Sequence, residues 1–191
     1  LKSDNILLDE RLRAKLSDFG LSKIKTNSRS TTKRTQAVGT EGWMAPELFL
    51  DFKAIRKDPV TGQRIIPKIE YTEKTDIFSY GMVLWEIASR KLPYAEMELQ
   101  SSDIRDFVKI GEREDIPNDC PSKYASIIQD AWKQKPEERP VLTNLLDRLK
   151  NLEGELKQKN TTTIPFENHQ NQQFSQNLIL TQLNQIKIGR A

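Results

Sequence analysis

The chain has 191 residues, of which 36% are apolar and 30% charged, as is typical of a globular domain with a sizeable core. Its 30 Lys and Arg residues nearly balance its 27 Asp and Glu residues, and a net charge of +3 does not indicate a nucleic acid or an anionic membrane as partner. With one cysteine, Cys120, and one histidine, His169, the chain can form neither an internal disulfide nor a zinc site of Cys and His ligands.

Two short runs with apolar residues, 5–9 and 14–17, predict a small β-hairpin at the start of the chain. Asn5 lies before the first strand and Asp18 after the second, so we expect their side chains to converge on one ion. One amide carbonyl and one carboxylate suit Mg²⁺, which takes oxygen ligands and leaves other positions to phosphates and water. Each residue alone is more commonly a turn cap.

Three short motifs follow one another in the first quarter of the chain: L-K-S-D-N at 1–5, D-F-G at 18–20 and A-P-E at 45–47. They are similar to the end of the catalytic loop, the metal-binding triplet and the end of the activation segment of eukaryotic protein kinases. Three motifs in this order are far more specific than any one of them. The chain therefore resembles the large C-terminal lobe of a kinase from residue 1 to about 152. The sequence G-T-E-G-W-M-A-P-E at 39–47 resembles that of the tyrosine-kinase-like group of serine/threonine kinases.

The resemblance implies a role for each of four residues. Asn5 and Asp18 would hold Mg²⁺, Lys2 would neutralise charge on the transferring phosphoryl group, and Thr40 would orient Lys2 in the substrate pocket. The aspartate that acts as catalytic base would stand just before Leu1, and no glycine-rich phosphate loop is present. We therefore expect a fragment that is inactive by itself.

Residues 21–38 combine cations with hydroxyl side chains and show almost no apolar periodicity, which predicts a mobile loop. A phosphate group would add about −1.5 to −2 charges and order such a loop by pairing with Arg or Lys. A solvated polar loop is equally compatible with this composition. The candidate phosphosites are Thr26, Ser28, Ser30, Thr31, Thr32 and Thr35.

The connection from Glu47 to Asp76 is unusually long and carries many cations. Residues 58–63 have the composition of a turn. Residues 51–70 are a candidate docking site for an acidic partner, although a solvated insertion, which long loops tolerate at little entropic cost, is the commoner outcome.

The segment 76–88 is apolar nearly all round, which predicts a helix buried on most faces, ended by Pro93. Asp76 lies in its first turn, where a carboxylate complements the helix dipole, and by resemblance it also anchors the catalytic-loop backbone. The longest apolar stretch, 80–88, is interrupted by Glu86 and is far shorter than the about 20 residues that a bilayer requires. We expect no membrane span, and no signal peptide is visible.

Further helices are predicted over 97–110, 122–134 and 140–157. The motif K-P-E-E-R-P at 135–140 resembles the segment before the last helix of the family, whose Arg pairs with the Glu of A-P-E. The resemblance therefore implies a structural ion pair between Arg139 and Glu47. Without it, Arg139 would be interpreted as an ordinary surface cation.

After about residue 158 the composition shifts to Asn, Gln and Thr, which bury too little apolar surface to offset the entropy of ordering. We predict a disordered tail over 158–191. A weak helix that docks a partner is the alternative, with an apolar face formed by Phe174, Leu178, Leu183 and Ile186.

The predicted fold is mainly α: a kinase-like C-lobe over residues 1–157, with a small β-hairpin at the active site and no N-lobe. The resemblance implies a cytoplasmic serine/threonine kinase that uses ATP and Mg²⁺ and acts on protein substrates. The rival hypothesis is a catalytically inactive, kinase-like binding module. The residue before Leu1 in the whole protein distinguishes the two, because the enzyme requires an aspartate there.

Overall fold

The computed structural model describes residues 1–17 and 41–162. This part of the chain is mainly helical, as predicted. Its helices are α1 (Glu73–Ser89), α2 (Ser101–Ile110), α3 (Ser122–Ala131) and α4 (Leu142–Thr162). Its strands form two antiparallel hairpins, the first from β1 (Ile6–Leu8) and β2 (Ala14–Leu16), the second from β3 (Arg56–Lys57) and β4 (Arg64–Ile65).

The first hairpin is closed by one aspartate. An Asp9 carboxylate oxygen accepts hydrogen bonds from the backbone N–H groups of Arg11 and Arg13, both at 2.9 Å, and the other accepts from Arg13 Nε at 2.7 Å. The Arg13 backbone N–H is the main reason that the pKa of Asp9 lies below its usual value. These bonds set the turn and hence the register in which Ile6 lies opposite Leu16.

Helix α1 is the centre of the core, and nine of its residues are buried. It begins at Glu73 rather than at Asp76, because the hydroxyl of Thr72 accepts a hydrogen bond from the Lys74 N–H and caps the first turn. A Cβ at Gly81 would lie 2.8 Å from the Cβ of Ala131, so only glycine allows this close approach of α3. The helix ends at Ser89, before Pro93.

Helix α3 packs against α1, and α2 packs against the 3-10 turns at 41–43 and 46–48. The Tyr124 hydroxyl on α3 donates to the Leu84 carbonyl on α1 at 3.2 Å in the buried interface. Helix α4 then covers α3 with an apolar stripe whose members recur every three or four positions, as expected for one helical face. The stripe consists of Leu145, Leu149, Leu152 and Leu156.

The helix boundaries differ from the sequence prediction where the backbone leaves helical geometry. Helix α2 begins at Ser101 rather than at 97, because Glu98 has a left-handed φ of 49° and residues 95–97 form a separate 3-10 turn. Helix α4 continues to Thr162, so residues 158–162, which were assigned to a disordered tail, are helical. The predicted tail from 163 onward lies outside the described residues.

The second hairpin was not predicted. Its strands are two residues each and exposed, so they lack the alternating pattern that would mark them. The predicted turn over 58–63 joins them: Asp58 accepts hydrogen bonds from the N–H groups of Val60 and Thr61, both at 2.8 Å, and Gly62 takes a φ of 69°. None of the helices within the described ranges is both long and apolar enough to cross a bilayer.

Candidate active site

Residues 3–5 form a 3-10 turn that leads directly into β1. The N–H of Asn5 donates to the Lys2 carbonyl at 3.1 Å, and the Asn5 carbonyl accepts from the N–H and the hydroxyl of Ser17 at 2.8 and 3.2 Å. The backbone of Asn5 is therefore fixed on both sides. Its side-chain carboxamide has no hydrogen-bond partner within residues 1–17 and 41–162.

The Lys2 side chain is 27% exposed and lies 3.1 Å from the carboxylate of Asp4, which is 68% exposed. An ion pair this open to water contributes at most about 1 kcal/mol. Asp4 therefore does not withdraw the Lys2 ammonium from solution, and the cation remains able to meet an anion.

Glu86 on α1 is a site residue that the sequence analysis missed. One carboxylate oxygen accepts a hydrogen bond from the Ser3 hydroxyl at 2.7 Å, and the other accepts from the indole N–H of Trp43 at 2.6 Å. Burial raises the pKa of Glu86 above its usual value, while the bonds from Trp43 and Ser3 act in the opposite direction. A lone carboxylate inside the apolar run 80–88 was the signal that could have identified it.

Arg139 and Glu47 are brought together by two parallel hydrogen bonds, of 2.6 and 2.8 Å. The Arg139 side chain is 0% exposed, whereas that of Glu47 is 24% exposed. The same guanidinium donates to the carbonyls of Lys133, Lys74 and Gln134, at 2.7, 2.9 and 3.1 Å. All five of its N–H groups thus have an acceptor nearby, the condition under which a buried cation is tolerated.

Asp76 lies in the first turn of α1, as expected, and its side chain is exposed. Its carboxylate has no hydrogen-bond partner in the described part of the chain. The anchoring of the catalytic-loop backbone by Asp76 stays a prediction. Asp18, Thr40 and all six candidate phosphosites, Thr26, Ser28, Ser30, Thr31, Thr32 and Thr35, lie outside the described residues.

The hairpin β1–β2 exposes four leucines beside the candidate site, with Leu8 and Leu16 on one face and Leu7 on the other. All four are between 54% and 55% exposed, a high value for four neighbouring leucines in one small hairpin. They are Leu7, Leu8, Leu12 and Leu16.

The hairpin β3–β4 and the residues before it form a basic surface. Its cations, Lys53, Arg56, Lys57 and Arg64, are exposed, and none forms an ion pair with another described residue. Three apolar side chains accompany them: Val60 is 91% exposed, Ile65 52% and Ile66 60%.

The described ranges contain few other groups that could bind a metal ion or act as a nucleophile. They hold no group of three or more His, Cys, Asp or Glu side chains placed to bind a metal ion. Burial raises the pKa of the Cys120 thiol to about 11, so the thiol stays protonated at neutral pH and is a poor nucleophile.

Comparison with known proteins identifies relatives for most of the chain. A sequence model of the family described as protein tyrosine and serine/threonine kinase matches residues 1–149. A probable serine/threonine-protein kinase of Dictyostelium discoideum is 36% identical over 149 residues, which are 78% of this chain and 14% of the relative.

Two further relatives are also named as protein kinases. A putative serine/threonine-protein kinase/receptor of Acanthamoeba polyphaga mimivirus is 34% identical over 149 residues, 78% of this chain and 8% of the relative. The dual specificity protein kinase shkC of D. discoideum is 35% identical over 151 residues, 78% of this chain and 26% of the relative. The chain thus spans about a quarter or less of the length of these relatives.

Proposed function

Because this chain belongs to the protein tyrosine and serine/threonine kinase family, we propose that the protein containing it transfers the γ-phosphoryl group of ATP to Ser or Thr hydroxyls of other proteins. The observation that carries the proposal is the position of Asn5. Its carbonyl accepts hydrogen bonds from the N–H and the hydroxyl of Ser17, so residue 5 is held beside the residue that precedes the D-F-G motif in the sequence.

Asn5 and Asp18 are the residues that we propose to hold Mg²⁺. The Asn5 carboxamide oxygen has no partner among the described residues, and the Asn5 backbone is held in place by Ser17. Both proposed ligands offer oxygen atoms, which Mg²⁺ prefers. When bound, the ion would neutralise charge on the phosphate oxygens. Lys2 would place its ammonium against the same phosphoryl group, and Thr40 would orient Lys2.

We further propose that residues 1–157 form the C-lobe of a kinase domain and that another part of the protein packs on the exposed leucines of β1–β2. Covering four leucines that are about half exposed would stabilise the protein by roughly 1 kcal/mol each or more.

The catalytic base would precede Leu1, and Asp76 is proposed to bind the backbone there. In this proposal the protein is cytoplasmic, residues 158–191 are a tail, and phosphorylation of a hydroxyl between 26 and 35 is the switch.

The proposal is tested by phosphate transfer from γ-labelled ATP, using the whole protein and a peptide mixture that offers Ser, Thr and Tyr. We expect label on Ser and Thr, loss of transfer on chelation of Mg²⁺ and recovery when the metal is restored. The chain 1–191 alone is expected to transfer none. Label on Tyr as well would indicate dual specificity, whereas no transfer by the whole protein would favour the kinase-like binding module.

The basic surface of β3–β4 is proposed as a docking site for an acidic segment of a partner protein. Its four cations have no ion pairs in the described part of the chain, so an approaching carboxylate displaces no partner among those residues. The exposed Val60, Ile65 and Ile66 would pack against apolar residues of the same segment.

Charge reversal by Arg56→Glu, Lys57→Glu and Arg64→Glu together is expected to weaken binding of a fluorescent poly-glutamate peptide by about tenfold or more at low salt. The matched control reverses Lys91, Lys123 and Lys150, three exposed lysines outside residues 51–70, and is expected to bind as the unmodified protein does. Equal affinity for both triple variants would refute the docking site. Binding to anionic vesicles in preference to the peptide would assign this surface to a membrane instead.

A further inference from the structure

The two hydrogen bonds to Glu86 join parts of the chain that are far apart in sequence. Ser3 is 83 positions away from Glu86, and Trp43 is 43 positions away. Each uses a different oxygen of the same carboxylate, so neither bond competes with the other. Glu86 is therefore the point at which the turn at residues 3–5 and the segment at 41–47 are tied to one helix.

On the first side, Glu86 holds the turn that carries Lys2 and Asn5. Ser3 lies between them, and its hydroxyl donates to the Glu86 carboxylate at 2.7 Å. The turn is short and is closed by a hydrogen bond from the Asn5 N–H to the Lys2 carbonyl at 3.1 Å. A bond to Ser3 therefore fixes the position of Lys2 and Asn5 relative to α1.

On the second side, Glu86 holds the segment 41–47 through Trp43. The indole is 7% exposed and donates to the carboxylate at 2.6 Å. The Trp43 carbonyl also accepts from the Ser79 hydroxyl at 2.8 Å, so α1 holds the backbone and the side chain of this residue at separate points. The indole N–H can only donate, and Glu86 is its acceptor.

We propose that Glu86 is a positioning residue. It holds the turn at residues 3–5, which would bind the phosphoryl group, and the substrate-side segment 41–47 in one fixed relation. The proposal rests on the kinase function proposed above. Both oxygens are needed, one for each segment, and an apolar side chain of similar size would release both. A reacting hydroxyl must lie within about 3–3.5 Å of the phosphoryl group, so a small loss of registration between the two segments costs rate.

The bonding predicts a different kinetic effect for each end. Ser3→Ala is expected to lower kcat by about tenfold with little change in the KM for peptide, because it frees the turn with Lys2 and Asn5. Trp43→Phe is expected to raise the KM for peptide, because it removes the bond between the segment 41–47 and Glu86 and leaves only the Ser79 bond to the backbone. Glu86→Leu should show both effects. Glu86→Gln should restore most of kcat and KM, since its carbonyl accepts from Trp43 and its NH₂ donates to the Ser3 hydroxyl.

A second measurement does not depend on activity. Hydrogen exchange of the whole protein reports the Asn5 amide on one side and the Met44 amide, which is bonded to the Glu41 carbonyl at 3.1 Å, on the other. Glu86→Leu is expected to accelerate both amides, Ser3→Ala only Asn5 and Trp43→Phe only Met44. Glu96→Leu, which removes an exposed carboxylate paired with Lys91, is the matched control and should change neither.

The outcomes separate the two proposals. If the unmodified protein transfers no phosphate, the kinase function fails, while selective acceleration of Asn5 and Met44 still establishes the link through Glu86. If Glu86→Leu leaves both amides and both kinetic constants unchanged, the positioning role is refuted. Uniform acceleration across the core of α1, without selectivity for these two amides, would also refute it, because it would show a role in stability alone.

Discussion

Arg139→Leu is expected to destabilise the domain by about 3–5 kcal/mol, a large part of the 5–15 kcal/mol that stabilises a typical domain. The change removes two hydrogen bonds to Glu47 and the donor to the carbonyls of Lys133 and Gln134, while the Lys74 carbonyl keeps its helical acceptor role in α1. Hydrogen exchange of buried α1 amides in the whole protein measures this loss, which corresponds to acceleration of at least about 100-fold.

Partner variants show how the loss is distributed. Because Glu47 is 24% exposed, its carboxylate can be rehydrated when Arg139 is removed, so the orphaned carbonyls carry most of the cost. Glu47→Gln should cost less than Arg139→Leu, since the amide oxygen still accepts one bond. Adding Glu47→Leu to Arg139→Leu should cost little more. Fully additive losses would contradict the interpretation that the two residues act as one unit.

The Arg139–Glu47 pair shows what could be predicted and on what basis. Neither periodicity nor composition distinguishes Arg139 from an ordinary surface arginine, and only the resemblance of 135–140 to a kinase motif implied its partner. The buried helix α1, in contrast, followed directly from the run of apolar residues over 76–88. Its start at Glu73 did not, because the Thr72 cap precedes the apolar pattern.

The features that the sequence did not indicate share a physical cause. The strands β3 and β4 are two exposed residues each, too short to show an alternating pattern. The Glu86 link joins positions separated by 43 and 83 residues, and no local rule relates a carboxylate to donors that far away. A polar residue in an otherwise buried helix marks the position as unusual, but its partners depend on tertiary packing.

In the whole protein, Asp18→Ala is expected to lower phosphate transfer by about 10³-fold or more, because it removes the only charged side chain among the proposed magnesium ligands. Asn5→Ala should have a smaller effect and raise the Mg²⁺ concentration needed for half-maximal rate, since a neutral oxygen contributes less to binding the cation.

Asp147→Ala is the matched control, because this exposed carboxylate on α4 lies 3.7 Å from Lys150 and far in sequence from the site. Its rate should equal that of the unmodified protein. Equal incorporation of label by the Asp18 variant and the control would show that Asp18 does not hold the metal, and an Asn5 variant with unchanged Mg²⁺ dependence would remove the second proposed ligand as well.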